Sequence, residues 1–277
     1  MPFDDNYLKA CARLFEFVQA ELERNEFHPK EQNHNHGNFV SINFGISQGN
    51  GKADGTRLSE GKHAELIRRM LDHLDLQRIA SFQDSVCLVP TNGRFTDHRL
   101  GAFQLWAPLL YKYYWDTMKL LLSHTGQERN FFKSIFACAT MNFGPKVCAR
   151  KHRDMLNLAF GWCATTSLGR FDHTQGGHLV LEEAKLIVEF PMGSTFLIPS
   201  SCITHSNTPV GEEEFRASFT QYTAGGIFRW VENGFETDRR MEARDKKKYT
   251  TTMKERAGRW AKGLENFSTM DALLKEL

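Results

Sequence analysis

From about residue 133 the chain breaks into short β-type runs, FKSIFACATMNF, LAFGWCATTSL, GHLVLEE, AKLIVEF, STFLIPSS, FRASFTQYT and IFRWVE, set apart by Gly, Pro, Asn and Asp. Apolar or alternating runs bounded by turn formers read as strands, and seven in succession predict a sandwich or jelly roll. Upstream the period differs. Residues 4–24, 59–78 and 98–124 repeat apolar positions at helical spacing, and the last stretch is strongly aromatic (FQLWAPLLYKYYW). Residues 28–55 are polar and glycine-rich around one short apolar strand and read as loops. The final ~40 residues return to helix. The expected fold class is therefore α+β, with a helix-rich part over 1–130, a β core over 131–232 and a helical part over 233–277.

Composition narrows the function classes. A chain of 277 residues, 41% hydrophobic and 25% charged, is ordinary globular material with a sizeable core. It has no run of about 18 apolar residues, and its first residues (MPFDDNYLKA) are acidic where a signal peptide is basic, so a soluble intracellular protein without membrane attachment is expected. Six cysteines (Cys11, Cys87, Cys138, Cys148, Cys163, Cys202) without a CxxC pair suit reduced buried thiols better than disulfides or a zinc ribbon. Net charge is only +2, yet residues 239–262 hold ten Lys/Arg against three Asp/Glu, with Tyr249 and Trp260 interleaved. That segment is either a solvated helix face or a phosphate-contacting patch.

Chemistry enters at KHRDMLNLAFGW, residues 151–162. An HxD pair is common by chance, and His73-Leu74-Asp75 is a second copy. On a helix, positions i and i+2 diverge by about 200°, so that copy reads as a solvated face. His152 and Asp154 instead follow a strand-like run and Gly144-Pro145. In extended chain they share one side, with Arg153 pointing outward, and Phe160 and Trp162 are expected to continue the strand. His205, at the end of STFLIPSSCITHSN, supplies a third donor. His, Asp and His form a facial triad suited to Fe(II), which leaves three coordination positions open. Eleven residues on, Arg216-Ala217-Ser218 places a guanidinium and a hydroxyl on one strand face, able to hold a carboxylate. Taken singly, each has a structural alternative: a strand-end histidine, an ordinary salt bridge.

This order of HxD, distal His and Arg-x-Ser resembles the Fe(II)/2-oxoglutarate dioxygenases built on the double-stranded β-helix. Within them, HRDMLN (152–157) and RASFTQY (216–222) look most like the TET/JBP family, over about residues 133–230. The resemblance implies a single dioxygenase domain over 1–277 with Fe(II) on His152, Asp154 and His205 and 2-oxoglutarate on Arg216, Ser218 and His178. It also implies that Asn157 contacts a target base and that Tyr222 stacks on it. As structural alternatives, Asn157 caps a turn, Tyr222 belongs to the core and His178 is a satisfied strand histidine. Two departures stand out: Ala224 replaces a base-contacting histidine, and the cysteine-rich module of animal members is missing, as in compact fungal or protist members.

The implied activity is oxidation of the methyl group of 5-methylcytosine in DNA to 5-hydroxymethylcytosine and beyond, with base flipping, since a methyl group inside a duplex is out of reach. The implied partner is methylated duplex DNA and the implied location nuclear; no protein partner can be inferred. Phosphate contacts are expected from Lys246, Lys247 and Lys248 within the basic segment, and from Arg94, Arg99 and Lys146. Alternatives are an N6-methyladenine demethylase on the same site, a 2-oxoglutarate-dependent hydroxylase of a protein or small molecule, and a non-catalytic barrel that binds modified DNA.

Overall fold

A computed structural model describes residues 5–48, 55–58, 61–84, 86–91 and 94–276, with 86–91, 94–100, 275 and 276 in backbone only. The helix-rich part begins with α1 (Asp5–Arg24), whose Tyr7, Cys11, Leu14, Phe15 and Val18 form one buried stripe at helical spacing. After α2 (Pro29–Gln32) come β1 (Val40–Ser47) and β2 (Thr56–Arg57). The pattern expected as helix over 59–78 is two helices, α3 (Ala64–Asp72) and α4 (Leu74–Asp84), because His73 turns extended between them. His73 packs its ring at a tilt against Phe17 and Asp75 binds Arg13, so the second HxD copy is a structural joint and not a solvated face. A hairpin of β3 (Val86–Thr91) and β4 (Arg94–Leu100) then intrudes on the start of the expected 98–124 helix. The helical remainder is α5 (Ala102–Trp106) and α6 (Pro108–Thr125), parted where Pro108 can only begin a helix.

The β core has β5 (Cys138–Gly144), β6 (Cys163–Arg170), β7 (Leu179–Leu181), β8 (Leu186–Val188), β9 (Thr195–Ile198), β10 (His205–Asn207) and β11 (Phe215–Tyr222). Six strands form one sheet in the order β2-β1-β5-β11-β6-β9, and three form another in the order β10-β7-β8. Every pairing in both is antiparallel. The chain is thus a mixed α+β fold, and β1, from the part expected as loop around a short strand, lies inside the large sheet. Phe160 and Trp162 do not continue a strand: the chain turns through 158–162 and β6 starts only at Cys163. The last expected strand, IFRWVE, is instead helix α7 (Gly225–Glu232). Ile227, Phe228 and Val231 fall on one helical face and are buried against α6, so tertiary packing overrides a short apolar run with no clear period. The chain closes with α8 (Asp238–Arg244), α9 (Lys246–Arg256), α10 (Arg259–Leu264) and α11 (Met270–Glu276).

Strand β11 shows how the layers divide. Its odd-numbered residues Ala217 and Phe219 join a core with α1, α3 and α4 side chains and with Val40, Ile42, Phe44, Met141, Phe143 and Leu168. Behind it Gln221 bonds the Ala80 carbonyl and Gln83, and Gln83 reaches Thr166, so these two buried amides are paired. The even-numbered residues Arg216, Ser218, Thr220 and Tyr222 face the other way. There Cys163 and Ile198 of the large sheet pack with Leu179 and Leu181 of the small sheet, and Tyr222 rests on that cluster. The candidate site lies along this second face.

Candidate functional site

The segment carrying His152 and Asp154 is fastened to the small sheet. His152 and His205 exchange both backbone hydrogen bonds (3.0 and 2.9 Å), and the Asp154 N–H donates to the Ser200 carbonyl at 3.0 Å. The two imidazoles come within 4.3 Å, centroid to centroid. His152 Nδ1 lies 2.6 Å from the Arg150 carbonyl and His205 Nδ1 lies 2.9 Å from the Ile203 carbonyl. A carbonyl only accepts, so both rings carry a proton on Nδ1, and Nε2 is the nitrogen left to bind a metal in the neutral ring. His152 Nε2 is 3.5 Å from Asp154 Oδ1. The other carboxylate oxygen receives the Asn157 amide at 3.4 Å, and the same amide reaches Ser200 Oγ at 3.2 Å.

Burial would raise the Asp154 carboxyl, but the His152 hydrogen bond, the charges of His205 and His152 and the Ser200 hydroxyl outweigh it and hold the group below its ordinary value. Burial lowers His152 too, yet its bonds to Asp154 and Arg150 carry the ring above the usual imidazole range. His205 goes the other way, lowered by burial and by His152. A cation arriving here would displace a proton from His152 and meet a ready carboxylate.

Sequence reasoning passed over His36. Its ligand atom lies, with those of His152 and Asp154, within a set mutually closer than 4.8 Å. Its ring sits 4.4 Å from that of His152, centroid to centroid. The signal available was slight, a histidine pair in HNHG within a polar loop. His205 lies outside that set, although its ring stands next to that of His152; two imidazoles and one carboxylate suit a divalent first-row metal, with the second carboxylate oxygen already engaged.

Arg216, on β11, is 1% exposed. Its Nη1 donates to the Val147 carbonyl at 2.7 Å, its Nε has no partner, and no carboxylate pairs with it among the described residues. Burial alone pushes the guanidinium down to about 10. A buried cation without a counter-ion is costly unless an anion completes it, and the mono-anionic end of a small dicarboxylate fits that need. Two residues along the same face, Ser218 Oγ accepts from Asn142 at 3.0 Å, and Asn142 in turn accepts from Ser41 at 2.9 Å. His178 heads β7, with its carbonyl bonded to Thr208 and Asn207. Just before it, Gly177 adopts φ +70, and a Cβ there would meet the Phe171 ring at 2.6 Å and the Arg216 side chain at 3.3 Å. That glycine, also missed in the sequence, lets the chain close over Arg216.

Tyr222 is half-buried, and burial raises its pKa. Lys246, Lys247 and Lys248 open α9, a helix with no buried residue. Their neighbour α10 presses on the segment behind Asp154: a Cβ on Gly263 would strike the Phe160 ring at 2.2 Å, and Phe267 meets Trp162. Lys146 is exposed beside Pro145, and the side chains of Arg94 and Arg99 lie outside the described residues. Among the described residues no helix is long and apolar enough to cross a membrane.

No protein-family profile and no curated protein matches this chain. One solved structure similar to it is NgTET1 in complex with 5mC DNA, at 11% identity and a TM-score of 0.46, covering 78% of this chain and 69% of that one. A likeness so slight carries no conclusion about activity.

Proposed function

We propose that this chain is an Fe(II)/2-oxoglutarate-dependent dioxygenase on a double-stranded β-helix, acting in the nucleus on the methyl group of 5-methylcytosine in DNA. The observation that carries the reading is Arg216, a buried guanidinium with no anion beside it among the described residues, lying over Phe190 of the apolar cluster that Tyr222 also joins. His152, Asp154 and His205 would hold the metal, which when loaded with 2-oxoglutarate and oxygen supplies C–H oxidation. Arg216 would bind the distal carboxylate of the co-substrate by a charge-assisted bond, with Ser218 adding a hydroxyl and His178 flanking it. The Arg150 and Ile203 carbonyls orient the two imidazoles, and Asn157 steadies the Asp154 carboxylate.

For the substrate, what supports a nucleic acid is the match of HRDMLN and RASFTQY to the TET/JBP pattern together with the basic segment at 239–262. A flipped base would lie against Tyr222, with Asn157 reading its edge and Lys246, Lys247 and Lys248 on the phosphates. The test is nucleoside mass spectrometry after incubation with Fe(II), 2-oxoglutarate and duplexes carrying 5-methylcytosine or N6-methyladenine. Formation of 5-hydroxymethylcytosine is expected. Succinate release without an oxidised nucleoside would move the activity to a protein or small-molecule substrate, and no 2-oxoglutarate turnover with any substrate would sink the proposal.

A further inference from the structure

His36 comes from the loop ahead of β1, outside the sheets that carry the other site residues, yet its placement is built. His34 and Gly37 exchange backbone bonds (3.1 and 3.0 Å), closing a turn with His36 at its tip. His34 Nε2 is fixed on the Phe39 carbonyl at 3.0 Å, and its ring meets Phe39 edge-on. Gly37 has no room for a side chain: a Cβ would stand 2.4 Å from the Phe39 ring and 2.9 Å from the Cys148 carbonyl. One residue ties this turn to the cluster. The Arg150 N–H donates to the His36 carbonyl at 2.7 Å, its guanidinium donates to Asn38 at 2.7 Å, and its own carbonyl orients the His152 ring at 2.6 Å. The His36 ring itself has no hydrogen-bond partner among the described residues, so both its nitrogens remain available.

Resting on the iron-site reading above, we infer that His36 is a fourth protein donor of the metal in the absence of co-substrate, and that it leaves when the co-substrate chelates. Coordination number makes the second half necessary. An octahedral ion held by His36, His152, Asp154 and His205 has two positions left. A bidentate 2-oxo acid would fill both and leave none for oxygen, so turnover requires one protein donor to withdraw. His36 is the one free to do so, being on an exposed turn whereas His152 and His205 are laced together by backbone bonds.

The experiment uses Co(II), whose d–d absorption reports binding without turnover, and N-oxalylglycine as an unreactive co-substrate analogue. Wild type, His36→Gln and the surface control His173→Gln are titrated with Co(II) with and without saturating analogue. His36→Gln is expected to bind Co(II) at least about tenfold more weakly than wild type without the analogue, and equally with it, while His173→Gln matches wild type in both. Equal affinities without the analogue would remove His36 from the coordination sphere. A deficit that persists with the analogue would make His36 a permanent ligand and overturn its displacement. Wild-type protein that binds no Co(II), or His152→Ala that binds it as wild type does, would instead sink the metal site itself, and the inference with it.

Discussion

The two faces of β11 are made from alternate residues of one strand and do opposite work. Ala217 and Phe219 point into an apolar core whose polar edges are closed by Gln221 and Gln83. Arg216, Ser218, Thr220 and Tyr222 face the other way, where Tyr222 joins an apolar cluster and Arg216 lies over the Phe171 and Phe190 rings with its Nε unpartnered. On the first face the side chains fill space and hold the fold; on the second the buried Arg216 Nε lacks a partner, which the proposed reading supplies as an anion.

Substitutions on the two faces should therefore separate stability from binding. Phe219→Ala is expected to cost the most, about 3–5 kcal/mol of unfolding free energy by denaturant titration, since the ring is fully buried and packed edge-on against Phe131. Binding of the co-substrate analogue by the protein that remains folded should be unchanged; a selective loss of binding would break the division between faces. Arg216→Met reverses the pattern. It should weaken the analogue by roughly 2–5 kcal/mol, read by calorimetry, while stability stays within about 1 kcal/mol because an unpaired buried charge is replaced by an apolar side chain. Strong destabilisation would show that Arg216 is structural.

The next two effects are smaller. Asn157→Ala should reduce Co(II) affinity about tenfold or more by loosening the Asp154 carboxylate; unchanged affinity would free that amide for a base alone. Smallest is the triple change of Lys246, Lys247 and Lys248 to Ala, on a helix with no buried residue. It should leave stability untouched and flatten the salt dependence of duplex binding by roughly 0.9 per lost phosphate contact. An unaltered slope would return α9 to a solvated face.

How far the sequence disclosed this follows from where its signals are local. The nearness of His152 to Asp154 and the shared face of Arg216 and Ser218 could be read because an extended chain puts alternate residues on one side. The strands β5, β6 and β11 could be read for the same reason. His36 sits on a turn with no periodicity, and only the fold brings it to residues more than a hundred positions away. Gly177 was silent because a glycine's role depends on what approaches it. The hairpin β3–β4 and helix α7 were misjudged or missed since runs of a few apolar residues have no distinct period.

The order β2-β1-β5-β11-β6-β9 also has a consequence in time. Ser41 meets Asn142, 101 positions on, and Asn142 meets Ser218, 76 positions on. Contacts this remote in sequence require large loops to close before any pairing rewards them, which places the sheet among slow-folding topologies. Helices α1 and α6 can form early from nearby residues, but the wall bearing Arg216 and the cluster at His152 come together only when the outermost loops have closed. During synthesis His36 leaves the ribosome long before Asp154, and the cluster of His36, His152 and Asp154 assembles last, as the chain becomes native.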